Sequence, residues 1–467
     1  MTRQPHVQLL ACYELGHQPL SIAWPLAFLK EEGINAHGYD LSVEAFPKGA
    51  LEEARFVGIS VPMHTALRLG VQVAGRVRQI NPSAHIAFLG HYAQLNSEYL
   101  LKPDKDRSNF SLADSVLSGE YERHLVALVK KTLADSSNGP ILEKSLAAQN
   151  GQPYIEKLKF PLPDRVGLPR LSNYSRFEEN GLSKLAGYTE ASRGCLHTCR
   201  HCPVVPIYKG RIFVVQPEAV LADVRQQVEA GAEHITFGDP DFLNGPGHSI
   251  RIAKALNHEF PRLTFDFTTK VEHIIEKERE IRELKRVGAA FVISAFESTS
   301  DRVLSLLKKG HTRSDLEKAL SILNNLDLPV QPTWVPFTPW TTMEEYLDML
   351  RWVRSNGLIA NIPPVQYSIR LLVPPNSDLL KNNETRKWFG SLKPEEFVHE
   401  WVHADRRMDQ LQLSTAIIAE MAGGSYQQGF LEIEKEAYKV AGKSIPEFKQ
   451  VVTPRIKPPR LTEDWFC

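Results

Sequence analysis

The stretch ASRGCLHTCRHCP, residues 191–203, places Cys195, Cys199 and Cys202 within eight positions of a 467-residue chain that has five cysteines in all. Gly194 precedes the first thiol, and its missing side chain lets a loop bend sharply. Structural zinc wants four closed ligands, usually as paired CxxC units, and no second pair follows downstream. A disulfide leaves one thiol over, and a redox pair of Cys199 and Cys202 leaves Cys195 unexplained. An iron–sulfur cluster held by three thiolates uses all of them and leaves one iron open. A vacant coordination position is what turns a metal site from structure into chemistry. Zinc and incidental thiols stay open as alternatives on this evidence.

Working outward, the cysteines follow the first of a series of strand-like runs: 188–193, 234–238, 263–269, 291–297, 330–337 and 365–373. Helical patterns such as PEAVLADVRQQVEAG and TRSDLEKALSILNNL separate them. Six βα units predict a partial TIM-type (β/α)6 barrel over 188–390, with functional groups at the C-terminal ends of its strands. From 391 to 467 the pattern is helical and polar, ending in a Pro-rich basic tail, RIKPPRLTEDWFC.

Upstream, residues 1–135 alternate short apolar runs (VQLLACYEL, INAHGYDL, FVGISVP, HIAFLG) with helical patterns. This predicts an α/β fold, an open doubly wound, Rossmann- or flavodoxin-like parallel sheet. Ligands of such sheets sit beyond the carboxyl ends of the strands, here residues 14–19, 62–65 and 90–92. Between the two units, 136–187 is rich in Pro and Gly without sustained periodicity and reads as a linker.

Composition narrows the class further. Lys+Arg and Asp+Glu balance at 55 each, which removes a global pull toward nucleic acid or an anionic membrane. Apolar content of 42% and charged content of 24% are those of an ordinary globular chain. No window reaches the ~18 apolar residues that span a bilayer. The odd number of cysteines, three of them crowded, points to a reducing, cytoplasmic setting.

CxxxCxxC after the first strand of a βα series resembles the radical S-adenosylmethionine superfamily. The resemblance implies that Cys195, Cys199 and Cys202 bind a [4Fe–4S] cluster whose fourth iron is chelated by S-adenosylmethionine, and that one electron then yields a 5′-deoxyadenosyl radical. It also implies an electron donor such as flavodoxin or ferredoxin and a small-molecule or peptide substrate; nucleic acid is not expected. Where many relatives carry Tyr or Phe before the third cysteine, this chain has His201, still a flat ring. ITFGDPDFLNG resembles the turn that approaches the methionine group, which carries over to Gly238 and Asp239. ISAFESTSDRVLSLLKKGHT resembles the fourth-strand segment of the branch with an N-terminal cobalamin-binding-type domain, which carries over to Glu297 and Ser298 as cofactor contacts. VPFTPWTTMEEY departs from the Gly-rich turn of relatives at the fifth strand.

LGHQPLSIAWPLAFLKEEG, FVGISVPMHTALRL and SGEYERHLVALV resemble that cobalamin-binding domain. The DxHxxG signature for a cobalt-ligating histidine is absent, and some relatives keep the domain without the cofactor. His17, His64 and His91 fall near the ligand-facing edge, where a loop histidine is ordinarily solvated. YELGHQP, CRHCPVVP and GDPDFLNG resemble a narrower group whose chains end in Cys-selenocysteine-Ala-Glu-Pro or Cys-Cys-Ala-Glu-Pro. On that resemblance Cys467 is half of a redox or metal-binding tail.

HEWVH, residues 399–403, matches HExxH, the zinc hydrolase motif, on a helix expected to start at Pro394, with Glu420 as a notional third ligand. A zinc metallohydrolase is thus one competing reading; a non-catalytic iron–sulfur or cobalamin binding module is another. The basic segments KKGHTR and RIKPPR read as a solvated helix terminus and a flexible tail.

Overall fold

The computed structural model describes residues 6–103, 111–134, 152–447 and 458–463. Cys467 lies outside them.

The N-terminal unit is a five-stranded parallel sheet of β1 (Val7–Ala11), β2 (Ala36–Asp40), β3 (Phe56–Ser60), β4 (His85–Leu89) and β5 (Ser115–Leu117), in the order β2-β1-β3-β4-β5. Strands β1, β3 and β4 are buried along their whole length, as a sheet covered on both faces requires. Successive residues serve opposite faces: Phe56 joins the core under helices Leu20–Glu31 and Glu122–Ala134, whereas Val57 and Ile59 join the core under helix His64–Ile80. The order reverses between β1 and β3, so the ligand-facing crevice of this doubly wound sheet opens over residues 12–19 and 61–63.

The second unit is a curled half-barrel. Five parallel strands, β7 (Leu182–Thr189), β10 (His234–Phe237), β11 (Thr264–Thr269), β12 (Ala289–Glu297) and β13 (Val330–Trp334), run in that order across the sheet, with helices between them. The short strands β8 (Ser192–Gly194) and β9 (Ile212–Val214) form a separate ribbon at the mouth.

Four sequence expectations are corrected here. The first barrel strand ends at Thr189, and its start lies within the expected linker, where β6 (Arg176–Glu179) and β7 form a hairpin across Asn180-Gly181, both with positive φ. The expected sixth strand at 365–373 is a 3-10 turn, Pro364–Tyr367, followed by a single bridge of Arg370 to Phe337. Proline pairs at 363–364 and 374–375 bracket that segment and supply no ladder N–H. The segment RIKPPR does not end as a free tail: Arg460–Leu461 pairs antiparallel with β6, and Arg460 bonds Glu178 at 3.0 Å. HEWVH is not helical; His399 sits in a two-residue strand paired with Leu392, and the helix begins later, at Arg406.

The C-terminal region is otherwise helical as expected, with helices Arg406–Met421 and Tyr426–Val440 packed over the turn at Tyr367, whose ring lies 5.4 Å from that of Phe430. No helix among the described residues is long and apolar enough to cross a membrane.

Candidate functional site

The cysteine loop leaves the C-terminal end of β7 and is tied down before the first thiol is reached. Asp239, just after β10, spends both carboxylate oxygens on it, accepting the Ala191 N–H at 2.9 Å and the Ser192 hydroxyl at 2.5 Å. Gly194 has φ +77°, and a Cβ there would fall 2.4 Å from the Arg211 carbonyl oxygen and 2.7 Å from the Tyr208 ring. The turn into Cys195 therefore needs glycine. Further along, Arg200 N–H donates to Leu307 O at 2.9 Å and Lys308 donates to the Thr198 hydroxyl at 2.9 Å, so the end of the helix after β12 clamps the loop from the other side.

Cys195 and Cys199 are buried and Cys202 is half-buried, and all three are free thiols. Burial pushes the Cys195 thiol up and the Cys202 thiol to about 12. Buried thiols of this kind become thiolates when a cation is there to receive them. Among the described residues, the metal-ligand side chains that converge within 4.8 Å are His197, Asp241 and His273; the cysteines do not. Three thiols that do not meet at one point suit a cluster offering each its own iron better than a single zinc ion. The donor set thus fits a [4Fe–4S] group.

Glu297 ends β12 at a register shift against β13, with φ +64°. The irregularity turns its side chain into the mouth. There its carboxylate lies 3.1 Å from Lys309 Nζ and 3.4 Å from His201 Nε2. Burial works to raise its pKa, but Lys309 and His201 overcome this and hold it at about 2. Lys309 is itself buried; burial opposes its charge, and Glu297, Cys199 and Cys202 restore it, leaving its pKa above the ordinary lysine value. Ser298 is buried beside it, its hydroxyl accepting the Ser300 N–H at 3.1 Å. Gly238 faces the Tyr188 hydroxyl, 1.9 Å from where a Cβ would stand. The structure thus gathers the cysteines, Gly238, Asp239, Glu297 and Ser298 at one end of the half-barrel, with Asp239 turned toward the loop.

Sequence reasoning did not single out Asp241, His273, Lys309 or Arg193. Asp241 is buried, with His273 Nδ1 at 2.8 Å and His197 Nε2 at 3.4 Å from its carboxylate. Arg193, on β8, bonds Glu122 at 2.6 Å and Glu190 at 3.1 Å and approaches Glu120 at 3.8 Å, joining the cysteine loop to the N-terminal unit. Convergence of residues so far apart in the chain leaves no local signal.

The carboxyl edge of the N-terminal sheet faces this mouth. His17 stacks on Tyr188 with ring centroids 4.5 Å apart, and His91 meets Tyr208 edge-on at 5.6 Å. His17 is buried and His91 half-buried rather than freely solvated, and loss of water contact pushes each down to about 4. His64 Nε2 sits 2.9 Å from the Glu396 carbonyl oxygen. Residues 399 and 403 of HEWVH lie apart from the mouth cluster: His399 Nδ1 contacts Gly390 O at 3.0 Å and His403 Nδ1 accepts the Asp405 N–H at 2.9 Å.

Residues 189–363 match the family model of the Radical SAM superfamily. The half-barrel is a radical S-adenosylmethionine domain. Among sequence relatives, a tRNA-2-methylthio-N(6)-dimethylallyladenosine synthase of Chlorobium chlorochromatii is 28% identical over 160 residues, 33% of this chain and 35% of that protein. The enzyme of the same name from Mannheimia succiniciproducens is 22% identical over 205 residues, 40% of this chain and 42% of its own. The chain thus spans less than half the length of these curated relatives. Across both units the fold matches the cobalamin-dependent S-adenosylmethionine radical enzyme OxsB with aqua-cobalamin bound (TM-score 0.65, 14% identity, 93% of this chain and 71% of that one). It also matches the radical S-adenosylmethionine methyltransferase TsrM from Kitasatospora setae with cobalamin and a [4Fe–4S] cluster (TM-score 0.62, 14% identity, 93% of this chain and 99% of that one).

Proposed function

We propose that this chain is a radical S-adenosylmethionine enzyme, on the observation that three free thiols stand on a clamped loop at the mouth of a radical SAM domain. Cys195, Cys199 and Cys202 would hold the cluster. When bound and reduced, that group supplies the electron that cleaves S-adenosylmethionine to a 5′-deoxyadenosyl radical. The chain's own residues bind and orient. Glu297 and Ser298 line the mouth as contacts to S-adenosylmethionine, Glu297 kept ionised by Lys309 and His201 as an acceptor for hydroxyl or ammonium donors. Gly238 leaves room beside Tyr188, and Asp239 acts as a positioning residue by fixing residues 191–192.

Cobalamin belongs to the same proposal, in the crevice between residues 12–19 and 61–63. With the DxHxxG signature absent, and His17 and His91 packed against Tyr188 and Tyr208, it would be held there without a histidine from those two positions. The fold of the cobalamin-dependent enzymes and the methylthiotransferase-type sequence relatives support methyl or methylthio transfer as the reaction class. The substrate we infer is a small molecule or peptide, the reductant a flavodoxin or ferredoxin, and the compartment a reducing cytoplasm.

The test is anaerobic reconstitution with iron and sulfide, followed by reduction in the presence of S-adenosylmethionine. The proposal expects a brown protein that forms 5′-deoxyadenosine, and a Cys199→Ala variant that loses both. A brown protein that leaves S-adenosylmethionine intact would instead favour a non-catalytic binding module.

A further inference from the structure

Beside the cysteines, a second group of ligand-type side chains converges. Asp241 comes from the loop after β10, His197 from the cysteine loop, and His273 from the short helix Val271–Glu276 after β11. Asp241 Oδ1 is fixed by the Leu243 N–H at 3.0 Å and the Thr269 hydroxyl at 2.8 Å. Its Oδ2 is the atom both rings face, 2.8 Å from His273 Nδ1 and 3.4 Å from His197 Nε2. Both ring nitrogens are buried, yet neither makes a hydrogen bond. The contact to His273 is short while the ring N–H direction does not lie along it. Three donor atoms that approach without sharing a proton are arranged as ligands around a cation, because each lone pair needs a positive partner at the common point.

We propose that His197, Asp241 and His273 form a second metal site, for a divalent transition ion such as zinc or iron(II), separate from the cysteine cluster. Two imidazoles and one carboxylate are a ligand set these ions accept while keeping coordination positions open. The surroundings suit it. Glu272 Oε2 lies 3.7 Å from His197 Nδ1, on the ring edge away from Asp241. A metal-ligating histidine typically donates its other N–H to such a carboxylate. Lys270, now 3.2 Å from Nδ1 and paired with Glu272, would give way along the Glu272 carboxylate as that N–H forms. Asp241 and His273 are buried, whereas the His197 side chain keeps 19% exposure, so the open side of the ion faces the barrel mouth. An oxygen donor of a substrate, a carboxylate, hydroxyl or phosphate, is the ligand class that would complete it.

The experiment uses chelator-washed, cluster-reconstituted protein, equilibrated anaerobically with zinc and desalted, with zinc and iron counted per chain. The proposal expects about one zinc in addition to an unchanged iron content. It expects that zinc to fall at least tenfold in His273→Gln and Asp241→Asn while the iron stays. Zinc-edge X-ray absorption on the wild-type protein supplies a reading independent of those variants: a nitrogen and oxygen shell near 2.0–2.1 Å with imidazole scattering is expected. A sulfur shell near 2.3 Å would put the zinc on cysteines and overturn the proposal. So would less than a tenth of a zinc per chain, zinc gained only as iron is lost, or variants that keep it. None of these outcomes depends on radical activity, so the site stands or falls apart from the enzymatic reading.

Discussion

Lys309 Nζ lies 3.1 Å from Glu297 Oε1 where both side chains are almost wholly shielded from water, their exposures being 3% and 8%. The pair ties the loop after helix Asp301–Leu307 to the end of β12, beside the cysteines. Removing one partner strands a buried charge, so Lys309→Met is expected to destabilise the protein by about 3–5 kcal/mol. The pH dependence has a definite sign. The folded pKa of Glu297, about 2, is below its unfolded value, so its contribution is present above roughly pH 4.3 and lost as pH falls toward 2. Lys309, raised in the fold, contributes below roughly pH 10.4 and loses that contribution as pH rises through its folded value. Denaturant titrations of wild type and variant between pH 7 and 3 check this: the gap should narrow at the acid end.

Asp239 carries the opposite dependence. Burial first, against the hydrogen bonds from Ser192 and Ala191, pushes it up to about 7. A carboxylate raised in the fold loses stability relative to the unfolded chain as pH rises from about 4 through 7. Asp239→Ala removes that titration along with the two bonds to the cysteine loop. Its iron content after reconstitution should drop several-fold, and the stability advantage of wild type over variant should shrink between pH 5 and pH 8.

Gly194 is expected to tolerate no side chain. Gly194→Ala combines a positive φ with a contact 2.4 Å from the Arg211 carbonyl oxygen, and strain of this kind costs of order 1–3 kcal/mol. Circular dichroism should report a folded protein with a lowered midpoint, and the ~400 nm absorbance of the reconstituted cluster should fall further than overall fold content does.

HEWVH predicts nothing for catalysis. Glu400 is exposed just past the strand Val398–His399 and reaches Lys393 at 3.2 Å, so a His399→Ala/Glu400→Ala variant should keep iron content and 5′-deoxyadenosine formation within about twofold of wild type. A loss of tenfold or more, tracked to bound zinc, would reopen the hydrolase.

Much of this architecture is written locally. Buried parallel strands such as VQLLA and HIAFL announce themselves as apolar runs, and the crowding of Cys195, Cys199 and Cys202 needs no partner elsewhere to be noticed. The errors fall where tertiary context decides. An apolar run at 365–373 reads as a strand until its flanking prolines are weighed, and Asn180-Gly181 marks a hairpin inside a segment whose composition suggests a linker. HEWVH matches a helical motif by letter, but its first histidine is taken into a strand pair with Leu392. The histidine–aspartate cluster and the carboxylates around Arg193 were invisible, because their members lie on separate elements that only the closed fold brings within 4 Å.

The central claim is that three thiolates leave one iron free to bind S-adenosylmethionine. Electron paramagnetic resonance of the reduced, reconstituted protein, with and without S-adenosylmethionine labelled with nitrogen-15 at its amino group, tests it most directly. The account predicts a cluster signal whose g values shift on addition, with hyperfine coupling to the label. A signal indifferent to S-adenosylmethionine, or protein that takes up no iron on these cysteines, would contradict it.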